Sequence, residues 1–304
     1  MTTFQDELSR WGPRVGTVAA PSVPEAEQYC QRLATAHYEN FPVVSWLLPR
    51  HLRQHFYNVY AYCRWADDLA DEIANPAASL ELLNWWKEQL AECYAGRARH
   101  PVFVALGSTI REFTIPMQPF ADLISAFEQD QRVREYESFE QLLDYCARSA
   151  NPVGRLVLHL GREYSFPNAE LSDSICTGLQ LANFWQDVRR DAEMGRVYLP
   201  REDRQRFAYA DSDFERRVTN PAFVELMRFE VGRAGDYLRR GLPLVETLPG
   251  WLQVDIDLFA RGGLRILERI EKIGYQVWDQ RPKVTRWDFA RLFLGSAWRR
   301  IWRR

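Results

Sequence analysis

Apolar side chains recur at intervals of three and four residues along almost every segment long enough to judge, and clear apolar–polar alternation is missing. That pattern predicts an all-α chain. Ser22 followed by Glu25 reads as a capping box that opens a first helix running to about residue 37. Pro42 and Pro49 bracket the turn before the next helix, over about 50–74. Further helices are predicted near 77–95, 101–113, 117–135, 138–162, 168–194, 221–247, 251–277 and 285–303. Asn151, Pro152 and Gly154 interrupt the helix over 138–162, where proline removes an amide donor and clashes with the preceding turn, so a kink or break is expected. Residues 1–21 read as an irregular N-terminal segment, and 195–220 as the longest irregular connection. With no fixed repeat, low-complexity tract or Ser/Gly-rich linker, the reading is one helical domain over 1–304.

Two of these helices carry acids in an unusual register. The stretch WADDLADE places Asp67 and Asp71 four residues apart, on one side of a helix, with Asp68 and Glu72 beside them. Like charges so placed repel, which leaves a solvated acidic face or a cation site. The stretch QLANFWQDVRRD repeats the register, with Asn183, Asp187 and Asp191 at i, i+4 and i+8. One D-x-x-x-D arises easily by chance. Two on long apolar helices, the second with an in-phase Asn, point to an all-oxygen site for a hard cation, and Mg²⁺ in such sites completes its shell with water and phosphate oxygens. A diphosphate ligand follows.

The rest of the chain narrows the chemistry by exclusion. There is no G-x-x-x-x-G-K-[ST] loop and no G-x-G-x-x-G fingerprint, and HLRQH at 51–55 lacks the Glu of the H-E-x-x-H zinc pattern. Arginine is left to hold the phosphate: Arg64 precedes the first stripe, Arg189 and Arg190 lie within the second, and Arg196 follows in GRVYLP. A diphosphate bridged by metal and clamped by guanidinium forks leaves readily, because its developing charge is neutralised. The carbocation left behind needs an apolar, water-poor cavity with aromatic faces, for which Phe41, Tyr60, Tyr145, Phe184 and Trp185 are candidates beside ordinary core packing.

Composition agrees with a greasy interior: 46% of residues are hydrophobic and 13% aromatic, with 11 Trp. A formal net charge of −2 supplies no field for nucleic acid, so no nucleic-acid partner is expected. The five cysteines are odd in number and never form C-x-x-C, which disfavours a disulfide framework and a zinc site and suits a reducing cytoplasm. No apolar h-region opens the chain, and no run of roughly 18 apolar residues could span a bilayer. The end departs from this balance: RWDFARLFLGSAWRRIWRR, from Arg286, has six Arg against one Asp, interleaved with Trp and Phe. Such a basic amphipathic helix either lies peripherally on an anionic membrane surface or packs its apolar side on the core.

The segments YAYCRWADDLADE, QLANFWQDVRRD and GRVYLP together resemble the head-to-head isoprenoid synthases, the squalene, dehydrosqualene and phytoene synthases, over roughly residues 25–280. Within that group HYENFPVVSWLLP, SANPVGRLVL and FWQDV are most similar to the bacterial hydroxysqualene synthases of hopanoid gene clusters, the HpnC type. The resemblance implies an all-α isoprenoid synthase fold, a helical bundle around a central apolar cavity. Mg²⁺, more than one ion, would be held by Asp67 and Asp71 on one wall and by Asn183, Asp187 and Asp191 on the other. Position matching adds His37, Arg64, Tyr145, Gln180, Arg196 and Tyr198 as diphosphate or cavity contacts. Many relatives carry Arg where this chain has Gln186, which puts a diphosphate contact there in doubt and offers Arg189 or Arg190 as its substitute.

The implied reaction ionises presqualene diphosphate, rearranges the cation and captures water, giving hydroxysqualene and diphosphate with no NADPH. Tyr145 is the candidate for positioning that water or handling its proton. Presqualene diphosphate, squalene, dehydrosqualene or phytoene synthesis are the alternatives, and a noncatalytic scaffold of the same fold is a remote one. Expected functional partners are a presqualene diphosphate synthase and a squalene-forming oxidoreductase. The expected location is the cytoplasm, with peripheral attachment to the inner face of the cytoplasmic membrane as one outcome for the basic C-terminal segment.

Overall fold

The computed structural model describes residues 3–15, 19–36 and 48–283. His37, Phe41 and the helix expected over 285–303 lie outside the described residues. Within them the chain is helical, and the β pairing consists of an isolated parallel bridge between Glu135 and Val197. The all-α expectation holds. The chain divides into two compact units, Met1–Arg132 with Arg155–Glu163, and Val133–Gly154 with Tyr164–Arg304.

The first unit holds α1 (Phe4–Trp11), α2 (Val23–Ala36), α3 (Arg53–Asp71), α4 (Pro76–Tyr94), α5 (Pro101–Phe113) and α6 (Gln118–Asp130). Helix α1 stands where an irregular segment was expected. Its cause is local: the Thr3 side chain accepts from the Asp6 amide while the Asp6 carboxylate accepts from the Thr3 amide, a complete capping box. A relay then ties α1 to the core, since the Trp65 indole donates to the Tyr29 hydroxyl, which donates to Glu7. Helix α3 turns its apolar stripe inward, where the Trp65 and Trp86 rings stack at 5.4 Å and the Tyr62 hydroxyl donates to the Phe120 carbonyl at 2.7 Å. Both rings are fully buried, so this aromatic stack fixes how α3, the carrier of the first acidic stripe, is rotated.

The second unit holds α7 (Phe139–Ser149), α9 (Phe166–Glu193), α10 (Arg201–Arg206), α11 (Asp211–Glu215), α12 (Pro221–Gly241), α13 (Leu244–Thr247) and α14 (Gly250–Lys272). Between α7 and α9 runs α8 (Asn151–Leu160), and the break between α7 and α8 falls at Ala150, one residue before the Asn-Pro pair. Helix α9 has 28 residues, about 42 Å of rise. Ser165 caps its start and Gly195, at a positive φ of 70°, lets the chain leave its end. Helix α12 approaches α9 closely, because a Cβ on Gly178 would stand 2.9 Å from the Leu238 amide nitrogen and one on Gly241 would strike Ile175. The 195–220 connection is more ordered than expected: it contains α10 and α11, and its start is pinned where the Val197 amide donates to the Arg134 carbonyl at 2.7 Å.

Candidate functional site

On α3 the four acids are unequal. Asp68 is buried at 6% exposure, Asp67 is partly exposed, and Asp71 and Glu72 are exposed. The Arg64 fork spans the first turn of the stripe, with Nε donating to Asp68 Oδ2 at 3.1 Å, Nη2 at 2.5 Å from Asp68 Oδ1, and Nη1 at 3.4 Å from Asp67 Oδ2. Burial pushes the Asp68 carboxyl up to about 6 even though the guanidinium favours its charged form. Asp68 is therefore the anchor that aims Arg64, a role the spacing left open. Asp67 and Asp71 stand more open to a ligand. The helix end carrying them is fixed by Ser79 Oγ donating to the Leu69 carbonyl and Gln131 Nε2 donating to the Ala70 carbonyl.

On α9 the face is Gln180, Asn183, Asp187 and Asp191. Gln180 is half-buried and Asn183 exposed. Arg281, in the irregular segment after α14, grips Asp187 through both carboxylate oxygens: Nε donates to Oδ1 and Nη2 to Oδ2 at 2.8 Å. The same segment is latched at two more points, by Gln186 Nε2 donating to the Pro282 carbonyl and Arg189 Nη1 donating to the Trp278 carbonyl at 3.2 Å. Gln186, buried, thus has a structural partner in place of a diphosphate contact. Arg189 also pairs with Glu193 at 3.0 Å, while Arg190 is exposed beside Asp191. Burial first, and the neighbouring Asp187 charge second, push the Asp191 carboxyl up to about 7.

Beside Asp191 lies an aromatic wall. The Phe184 and Tyr198 rings stack at 3.8 Å and 11°, Tyr145 lies 6.1 Å from Tyr198, and Tyr136 stacks on Tyr198 at 5.8 Å. Phe184, Val188, Asp191, Arg196, Tyr198 and Phe214 are among the residues lining a small pocket with room for about one water. The GRVYLP turn puts Arg196 and Tyr198 there because the Arg196 amide donates to the Asp191 carbonyl at 2.8 Å, and the Arg201 amide to the Tyr136 carbonyl at 2.9 Å. Trp185 belongs elsewhere: its indole donates to the Glu230 carbonyl in the core against α12. Tyr60, on α3, is half-buried.

Tyr136 and Arg281 were not legible as site residues. Tyr136 falls between the helices predicted over 117–135 and 138–162, and Arg281 lies 94 residues from its partner with no register to mark it. Among the described residues no three His, Cys, Asp or Glu side chains converge as a ready-made metal cluster. The donor set still suits Mg²⁺, which needs only one or two carboxylates from protein, and Asp187 already holds a cation in the form of Arg281. Among the described residues no helix is long and apolar enough to cross a membrane.

The helical architecture is that of the isoprenoid synthases: it superposes on the crystal structure of squalene synthase HpnC from Alicyclobacillus acidocaldarius with a TM-score of 0.81 and 42% identity, covering 83% of this chain and 95% of that one. The squalene/phytoene synthase family model matches residues 20–288, and the chain belongs to that family, whose members process prenyl diphosphates. It is 32% identical over 283 residues to a phytoene synthase of Arthrospira platensis, covering 86% of this chain and 89% of the relative. It is also 32% identical over 238 residues to a hydroxysqualene synthase of Rhodopseudomonas palustris, with 77% and 80% covered.

Proposed function

We propose that this chain is a hydroxysqualene synthase, converting presqualene diphosphate and water to hydroxysqualene and diphosphate in squalene and hopanoid biosynthesis. The observation that carries the reading is the 42% identity to squalene synthase HpnC across 95% of that chain, against 32% for each of the two curated relatives above. Asp67, Asp71, Asn183, Asp187 and Asp191 are the proposed Mg²⁺ ligands. The ion, when bound, neutralises charge developing on the departing diphosphate. Arg64, held in aim by Asp68, and Arg196, beside Asp191, are the proposed donors to phosphate oxygens. His37, Gln180, Arg189, Arg190 and Tyr198 complete the proposed contacts, and Phe41 the apolar lining.

Once the C–O bond has broken, the ring faces of Tyr145, Phe184 and Tyr198 favour a cation through their quadrupoles. Tyr145, 5% exposed, can hold one water near the cation while its neighbours exclude the rest. No NADPH takes part in this reaction. A presqualene diphosphate synthase would supply the substrate and a squalene-forming oxidoreductase consume the product, at the cytoplasmic face of the membrane.

Phytoene-type condensation is the second reading, favoured by the Arthrospira relative and its coverage. The test incubates purified protein and Mg²⁺ separately with farnesyl, geranylgeranyl and presqualene diphosphates, without NADPH, and identifies products by mass spectrometry. Hydroxysqualene from presqualene diphosphate is the expected result. Phytoene or presqualene diphosphate as the main product overturns it.

A further inference from the structure

We infer that Arg281 is a resident counter-cation of the second acidic stripe, which a divalent cation must displace from Asp187 before that carboxylate can serve as a ligand. The inference rests on the metal-site reading above. Its ground is the fork itself: Nε and Nη2 of Arg281 occupy Oδ1 and Oδ2 of Asp187 together, so neither oxygen faces an incoming ion without a guanidinium beside it. Two cations on one carboxylate repel, and the guanidinium cannot shed its proton to relieve this. Cation binding at Asp187 and the Arg281 fork are therefore competing states.

The surroundings allow the exchange. The side chains of Arg281 and Asp187 are 39% and 21% exposed, so water can solvate the guanidinium as it leaves and an ion can reach the carboxylate. The backbone of the segment does not depend on the fork. Gln186 holds the Pro282 carbonyl, Arg189 holds the Trp278 carbonyl, and the Trp278 ring is buried at 2% exposure against Phe214 and Phe223. Arg281 can thus swing on an anchored main chain. In the free protein the charge of Asp187 is already balanced by Arg281, and the cation's affinity is lowered by whatever holds the fork. Any ligand that draws Arg281 away raises that affinity, and by linkage the cation tightens that ligand equally.

The test measures Mn²⁺ binding to the full chain without substrate, from the electron paramagnetic resonance signal of the free ion. Arg281→Gln should bind Mn²⁺ about three- to tenfold more tightly than wild type, the range expected for a solvent-reachable bidentate pair. Asp187→Asn should weaken binding and, combined with Arg281→Gln, erase that gain. In the unaltered protein, phenylglyoxal modification of Arg281, followed by peptide mass spectrometry, should quicken when Mn²⁺ is added. Equal Mn²⁺ affinity in wild type and Arg281→Gln, with binding still weakened by Asp187→Asn, overturns the displacement and leaves the metal reading standing. Mn²⁺ binding indifferent to Asp187→Asn overturns both.

Discussion

Asp255, on α14, is 2% exposed, and among the described residues neither of its carboxylate oxygens has a hydrogen-bond partner. Burial pushes this carboxyl up from 3.8 to about 7. A folded-state pKa above the unfolded value means that the group's contribution to stability is fully present below about pH 4 and is lost as the pH rises through about 7. The rise from 3.8 to about 7, at roughly 1.4 kcal/mol per factor of ten in acidity, sets a ceiling of about 4 kcal/mol. Water relaxation around the charge reduces this to about 1–3 kcal/mol. Asp255→Asn keeps the size and removes the ionisation. Because part of the contribution is already lost by pH 5, urea unfolding of both proteins at about pH 5 and about pH 8 should show the variant gaining about 1–2 kcal/mol relative to wild type at the higher pH. Asp68, Asp191 and Glu230 are raised in the same direction, so the difference between the two proteins carries the test. A variant-minus-wild-type stability that does not change with pH refutes the reasoning.

Asp67→Asn and Asp187→Asn should each lower kcat by roughly 100-fold or more while leaving thermal unfolding nearly unchanged, because both side chains are partly exposed and are proposed to serve the ligand; diphosphate release at the wild-type rate in either would remove that acid from the site. Tyr145→Phe should change the product mixture or slow water capture, read by mass spectrometry, since it deletes one hydroxyl from an otherwise intact aromatic wall. Gly178→Ala should cost about 1–3 kcal/mol by urea unfolding, since its Cβ would meet the backbone of α12; an unchanged midpoint would show that the two helices can separate freely.

Much of the architecture is written in local signals. The helix predicted over 101–113 is α5, Pro101–Phe113, because Pro101 and the apolar register mark its start and extent locally. The prediction over 117–135 overran, since α6 ends at Asp130 and the following residues are taken up by the pairing of Arg134 and Glu135 with Val197, a partner far along the chain. Helix α1 was missed although its Thr3–Asp6 capping box is local; its amphipathic face gains a reason to order from tertiary partners, Tyr29, Trp65 and His100.

The same division runs through the site. The sequence by itself determined the helical class, both acidic registers and the residue types suited to a cation and a diphosphate, because spacing along a helix decides which side chains share its face. Tertiary structure alone decided that Asp68 is the buried anchor of Arg64, that Gln186 holds a backbone carbonyl, and that Tyr136 joins the aromatic wall. It alone brought Arg281 to Asp187, for the period of one helix carries no record of what another segment lays across it.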